Sequence, residues 1–235
     1  FHAIDFKIGL LRNLNLKNVS VSVSKSSYTL KEGMNNLRFI DEGKGFKVSI
    51  TKNKIKLSIN GKSTGLYDTI KLFKNSKDTS FFSITGISPG FEKRSYFDNL
   101  IIFVNNQAIT LVNLVDFENY IIGVLESEVG LNRSKDFYKV HAVISRTYAL
   151  KNQFKFIHEG FQLTDLVNCQ VYKGKMYNDK SIINAVNETK NLILVDENMD
   201  YITAAYFSNS GGQTNNVEDV WIKALPYLRS IYDPY

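Results

Sequence analysis

The apolar period of this chain changes once, near Asp116, and that change limits the folds open to it. Upstream, short runs alternate apolar and polar residues: Phe6-Lys7-Ile8-Gly9-Leu10, Val19-Ser20-Val21-Ser22-Val23, Phe46-Lys47-Val48-Ser49-Ile50 and Ile55-Lys56-Leu57-Ser58-Ile59. A period of two marks strands with one buried and one wet face. Glu42-Gly43, Lys44-Gly45, Asn60-Gly61 and Ser88-Pro89-Gly90 read as turns between them. Residues 96–104 and 108–115 form a last strand pair that turns at Asn105-Asn106. Downstream the period becomes helical. The chain therefore reads as α+β, with a β-rich N-terminal part (residues 1–112, a sheet or small barrel) packed on a mixed helical part (residues 113–235). Hydrophobic residues at 43 % and charged residues at 22 % suit a packed core.

Two helices joined by a short polar turn are expected between residues 116 and 152. In the first, Phe117, Ile121, Val124 and Glu128 share one face at about 100° per residue. Glu128 extends that apolar stripe, whereas Glu126 points elsewhere. A carboxylate held against apolar neighbours is disfavoured in its charged form, which raises its pKa toward the range a general acid needs. If the helix instead ends near Val129-Gly130 and the chain turns to solvent, Glu128 is an ordinary surface residue. The second helix, 134–152, places Phe137, His141, Ile144 and Tyr148 on one face and reads as a core helix. Arg146 beside that face needs a carboxylate or a ligand oxygen if it is buried; otherwise it reaches to solvent.

Beyond residue 152 the chain is irregular until a third helix, capped by Asp179 and ending near Lys190, with Ile182, Ala185, Val186 and Thr189 inward. Residues 192–195 and 201–207 read as a hairpin. Ser208-Asn209-Ser210-Gly211-Gly212 then follows. Small residues there either let backbone N–H groups converge on a ligand oxygen or form a plain turn.

The net charge of +6 is spread along the chain, not gathered in a stripe. That pattern suits a soluble basic surface and not a nucleic-acid footprint. With no apolar run of about 18 residues, any membrane attachment would lie outside this sequence. The start at Phe1, inside what reads as a strand, suggests a processed or truncated chain. The single Cys169 excludes an intrachain disulfide. Tyr28, Tyr67, Phe73, Phe81, Phe82 and Phe91 read as core or sheet-face residues before sugar platforms.

Five ordered blocks carry a resemblance. Glu118, Tyr120, Ile121, Gly123, Val124, Ser127 and Glu128 fit E-x-Y-L-x-G-V-V-x-S-E-M. Lys139, Ala142, Val143, Arg146, Thr147, Tyr148 and Ala149 fit A-L-K-A-Q-A-V-A-A-R-T-Y-A. Cys169-Gln170-Val171-Tyr172 is similar to H-C-Q-V-Y, and Ala185-Val186 with Glu188-Thr189 to A-V-x-x-T-x-G. The run from Tyr206 to Gly212, with Thr214 and Asp219-Val220-Trp221, is similar to Y-F-S-S-S-G-G-x-T-x-x-x-x-D-V-W. Together they resemble the stage II sporulation protein D / LytB family (SpoIID).

The resemblance implies a peptidoglycan lytic transglycosylase acting on the β-1,4 bond between N-acetylmuramic acid and N-acetylglucosamine. The implied substrate is glycan stripped of its stem peptides. Some relatives are instead enhancers of a partner amidase, so a non-catalytic glycan-binding module is the alternative. The family's acid/base Glu falls on Glu128. Arg146, Tyr148, Gln170, Tyr172, Ser208, Ser210, Gly211 and Gly212 are the candidate substrate-binding residues. The implied location is extracytoplasmic. The implied partners are glycan strands and a cell-wall amidase, with no nucleic acid.

Some members carry C-D-x-x-H-C before Q-V-Y, with zinc attached there. Here Thr164 and Asn168 replace the first Cys and the His, so no bound zinc and no cofactor are expected. His141 stands where the family has Gln, and Val129-Gly130-Leu131 replaces its M-P.

Overall fold

The computed structural model describes residues 5–77, 79–221 and 223–233. The expected alternation becomes strands β1 (Asp5–Leu10), β2 (Asn18–Ser24), β3 (Tyr28–Glu32), β4 (Asn35–Ile40), β5 (Gly45–Thr51) and β6 (Lys54–Ile59). These are followed by β7 (Lys62–Tyr67), β8 (Thr69–Lys74), β9 (Phe81–Ser88), β10 (Gly90–Phe97), β11 (Asn99–Asn105) and β12 (Ala108–Asp116). Then come helices α1 (Phe117–Glu128) and α2 (Lys135–Lys151), the short strand β13 (Leu163–Thr164), and helices α3 (Lys180–Glu188) and α4 (Val217–Val220). The fold is α+β.

The strands form two sheets, in the orders β13-β1-β12-β11-β8-β3-β4 and β10-β9-β2-β5-β6-β7. Their alternate residues meet in one core. Phe6, Ile8, Val19, Val21, Val48, Ile55, Leu57, Ile70 and Leu72 are all buried, which is the outcome the period of two predicts. The expected strand over 96–104 is two strands, one in each sheet. The chain breaks at Asp98, whose φ of 65° is left-handed. Asp98 is buried, and its carboxylate accepts from Lys74 Nζ at 2.5 Å and from Asn119 Nδ2 and the Asp116 N–H at 3.0 Å. The corner between sheets is thus tied to the start of α1. The turn before β12 uses Asn106 and Gln107, at φ 48° and 58°, one residue later than expected.

The boundary expected at 112/113 runs through the middle of β12, which pairs along its length with β1. After α2 the chain returns to the same sheet, because β13 pairs parallel to β1 at Ile8–Leu163 and Gly9–Thr164. The chain forms two compact units, one ending at Thr203 and a second beginning at Ala204.

In the first unit α1 packs on β1, β12, α2 and α3. Phe117, Tyr120, Ile121, Ile122, Val124 and Leu125 are buried, so the helix is wrapped on nearly every side. Helix α2 is capped at Ser134, whose Oγ accepts the Phe137 N–H. Its buried face is Tyr138, Ala142, Ser145, Arg146 and Ala149. The expected core face at 137, 141, 144 and 148 is turned outward by about one residue, and Phe137 is 39 % exposed. The inward places go to Tyr138 and Arg146, whose polar ends find partners at Gly130 O and Glu118, alongside the small Ala142, Ser145 and Ala149. Helix α3 starts as expected, with Asp179 accepting from the Ser181 and Ile182 N–H groups. The expected hairpin is reduced to a bridge between Val195 and Tyr201.

Candidate active site

The last turn of α1 presents three polar side chains in a row, and one irregular segment takes all three. Val171 N–H donates to Glu128 Oε1 at 2.6 Å. Lys173 N–H donates to Ser127 Oγ at 2.9 Å, while that hydroxyl donates back to Gly123 O at 2.6 Å. The N–H groups of Met176 and Tyr177 donate to Glu126 Oε2 at 2.9 and 3.1 Å, and that of Asp179 to Glu126 Oε1 at 3.1 Å. Gly123 permits the close approach. A Cβ there would lie 2.4 Å from the Tyr172 ring and 2.9 Å from Gly174 O.

Of the two readings of Glu128, the one at a helix end open to solvent holds, and Glu126 takes the buried place. Glu128 is exposed at the helix end. Glu126 is the buried one, at 2 % exposure. At about 100° per residue Glu128 lies in line with Phe117, Ile121 and Val124, but α1 ends at Glu128 and no further turn of the helix covers it.

Tyr148 is half-buried beside Glu128. Burial, then the neighbouring Cys169 and Glu128, push its phenol up to about 12. The other substrate-binding candidates of the first unit are internal. Arg146 is 1 % exposed and its guanidinium is saturated. Nε and Nη2 donate to Glu118 at 3.2 and 2.8 Å, and Nη1 donates to Leu192 O at 3.0 Å. Longer bonds at 3.4 Å reach Ala142 O and Val186 O. Gln170 is fully buried and accepts the Tyr120 hydroxyl at 3.3 Å. Tyr172 is fully buried between Tyr96 and Tyr120, and its hydroxyl donates to Asn113 at 2.9 Å. Arg146, Gln170 and Tyr172 therefore have no surface to offer a glycan. The extended backbone turns Gln170 and Tyr172 inward and leaves Val171 to meet Glu128 through its amide.

In the second unit Ser208 and Gly211 are exposed. The N–H groups expected to face a ligand are used within the loop: Gly211 donates to Asn209 Oδ1 at 2.7 Å and Gly212 to Ser210 Oγ at 3.2 Å. This unit contains a cavity of about 410 Å³ bounded by Tyr206, Phe207, Ser210, Trp221, Tyr227 and Arg229.

The residues at the family's zinc positions do not fit a zinc ion. Thr164 Oγ1 bonds Asn168 Oδ1 at 2.6 Å, and the Thr164 N–H points at Cys169 Sγ at 3.5 Å. A hydroxyl–amide pair thus occupies the place of two ligands, leaving one thiol. Asp165 serves β1 instead, its Oδ2 accepting the Leu11 N–H at 2.9 Å with Arg94 at 3.9 Å. Among the described residues no group of three or more His, Cys, Asp or Glu is arranged for a metal.

Burial drives the Asp165 carboxyl up to about 6 from 3.8, against the Leu11 N–H and Arg94, which lower it. Its Oδ1 is buried without a partner. Because the fold favours the neutral form, this group's stabilising contribution is full below about pH 4 and is lost as pH rises through about 6. Asp165→Asn is expected to raise stability at pH 7.5 by about 2–3 kcal/mol, with the gain over wild type shrinking to near zero at pH 4. Urea midpoints of both proteins at the two pH values check it.

Residues 105–195 match the profile of a family described as Stage II sporulation protein, SpoIID. Stage II sporulation protein D of Bacillus amyloliquefaciens is 34 % identical over 139 residues, 53 % of this chain and 40 % of that protein. An uncharacterized protein of Brachyspira hyodysenteriae is 30 % identical over 186 residues, 78 % of this chain and 47 % of that protein. The amidase enhancer of Bacillus subtilis is 34 % identical over 106 residues, 45 % of this chain and 14 % of that protein. The chain spans less than half the length of each of these relatives.

Proposed function

We propose that this chain, whose residues 105–195 match the SpoIID family, is a lytic transglycosylase of peptidoglycan with Glu128 as its acid and base. The observation that carries this reading is the division of labour among the three carboxylates of α1. Glu118 is paired with Arg146 and Glu126 is buried under backbone N–H groups, which leaves Glu128 exposed at the family's acid position.

A glycosidic oxygen is a poor leaving group and needs a proton as its bond breaks. Glu128 gives that proton to the oxygen of the departing N-acetylglucosamine as the bond to the muramyl anomeric carbon breaks. The muramyl 6-hydroxyl then attacks the same carbon, and the Glu128 carboxylate takes its proton. A 1,6-anhydro ring closes, no water is consumed, and Glu128 ends as it began. A hydrolase normally needs a second carboxylate for water or a nucleophile; this ring closure does not. The Val171 N–H holds the Glu128 carboxylate in one orientation, and the Tyr148 phenol stands beside it.

The substrate class is glycan stripped of stem peptides, met outside the cytoplasm. No described helix is long and apolar enough to cross a membrane. A second reading, a non-catalytic glycan-binding partner of a cell-wall amidase, is favoured by the relative named an amidase enhancer and by the Thr164–Asn168 pair at the family's zinc positions. Mass spectrometry of denuded strands incubated with the protein separates them. Anhydro-muramyl ends support the lytic enzyme and reducing ends a hydrolase. Intact strands that still bind support the amidase partner.

A further inference from the structure

The chemistry assigned to Glu128 leaves a second acid, Glu126, without a role, and its surroundings are more costly than packing requires. A carboxylate buried to this depth is unfavourable unless it is fully bonded. Glu126 is bonded by three backbone N–H groups and, among the described residues, by no cation, and those donors belong to the segment entering α3. An apolar side chain of similar volume would fill the same space without desolvating a charge. What it would not do is join two helix termini.

Glu126 joins them directly. It lies in the last turn of α1, two residues before Glu128, where helices fray. Its Oε1 accepts from Asp179, the residue whose own carboxylate caps α3. The negative charge also sits at the N-terminal end of α3, where the helix dipole favours it. Across the same stretch, Ser127 takes Lys173 and Glu128 takes Val171. Between Val171 and Asp179 the backbone forms no regular element. Outside α1, its amides are held at Tyr172, on Asp165 O at 3.2 Å, and at Lys175, on Ser95 O at 2.8 Å.

We propose that Glu126 is a positioning residue. It pins the last turn of α1 to the start of α3 and so fixes the Glu128 carboxylate against the Val171 N–H, without touching substrate. This deepens the reading of Glu128 as the acid and rests on it for its kinetic arm only.

The test compares wild type with Glu126→Gln and Glu126→Ala at a temperature where circular dichroism shows each folded. Gln keeps the shape and one acceptor oxygen, so it carries the test if the Ala variant does not fold. By amide hydrogen exchange, Met176, Tyr177 and Asp179 are expected to exchange about tenfold or more faster in the Ala variant, and in the Gln variant the amide or amides that face the new NH2 group do the same. Val171 is expected to lose protection with them. On denuded glycan, kcat is expected to fall by up to about 10²-fold in the Ala variant, the penalty of a misplaced catalytic group. KM stays within twofold, and the Gln variant recovers part of the loss.

Val171 protection unchanged while residues 176–179 open would overturn the proposal, whatever the activity. So would a wild-type kcat in a folded variant, which makes Glu126 a stability residue alone. A rise in KM at constant kcat would overturn it too, making Glu126 a substrate contact. Absence of cleavage by the wild-type chain would remove the lytic reading, while the exchange result still decides whether Glu126 sets the Val171–Glu128 contact.

Discussion

Glu128→Gln is expected to abolish anhydro-muramyl product while leaving the fold unchanged. The amide cannot give a proton to the leaving oxygen or take one from the 6-hydroxyl. Each of those transfers is worth about 10²–10⁴-fold in rate, so turnover should fall by at least about 10³-fold. The fold should not notice. Glu128 is exposed, and Gln offers the same carbonyl oxygen to the Val171 N–H at the position now held at 2.6 Å. The stability change should lie within about 0.5 kcal/mol. The check is a paired measurement of product ends by mass spectrometry and of the urea midpoint. A mutant within tenfold of wild type would exclude Glu128 as the acid and move the chemistry to another group. A mutant that loses both activity and stability would mean that the Val171 contact is structural.

The parts of this architecture set by local chemistry were legible in the sequence. Ser134 and Asp179 announce their helices because a short oxygen-bearing side chain satisfies N–H groups two or three residues ahead. Much of the β-half was legible from alternation, since strands such as β2, β6 and β8 bury every second residue, whereas β12, buried on both faces, shows no such period. What was not legible depends on partners far along the chain. Periodicity ranks the faces of α1 by their own hydrophobicity. It cannot know that residues 171–179 return to cover Glu126 with three N–H groups and leave Glu128 open. One signal was available: α1 is apolar almost all round, so it must be wrapped by other segments, and any acid before its end then needs dedicated partners. The outward turn of Phe137, His141 and Tyr148 was hidden for a related reason. Periodicity ranks residues by hydrophobicity, whereas the inward places of α2 include Tyr138 and Arg146, whose polar ends find Gly130 O and Glu118 far from any local window. The strand break at Asp98 depends on Lys74 and Asn119, which no window of residues around Asp98 contains.

Arg146→Ala should have the largest effect on stability, a loss of about 3–5 kcal/mol. One guanidinium serves three elements. It forms a two-point ion pair with Glu118 at the start of α1, and it donates to Val186 O in the last turn of α3 and to Leu192 O in the segment that follows. Truncation leaves Glu118, with its side chain only 13 % exposed, as a charge without its cation. It also takes the Arg146 donor from Leu192 O, while Val186 O keeps the Thr189 hydroxyl at 3.3 Å. Lys cannot restore the arrangement, because one ammonium cannot reproduce a planar fork bonded to a carboxylate and two carbonyls at once. Arg146→Lys should therefore recover less than half of the loss. Removing both charges, as in Arg146→Met with Glu118→Leu, should recover most of it, since the main penalty is the orphaned carboxylate and not the absent attraction. Urea unfolding of the four proteins measures all three statements. Activity of Arg146→Ala per folded molecule then separates the structural role from a glycan contact. A buried, saturated guanidinium predicts near wild-type KM for the folded fraction. A KM raised tenfold with stability intact would mean that the glycan reaches Arg146 after all, through an opening between α1 and α3.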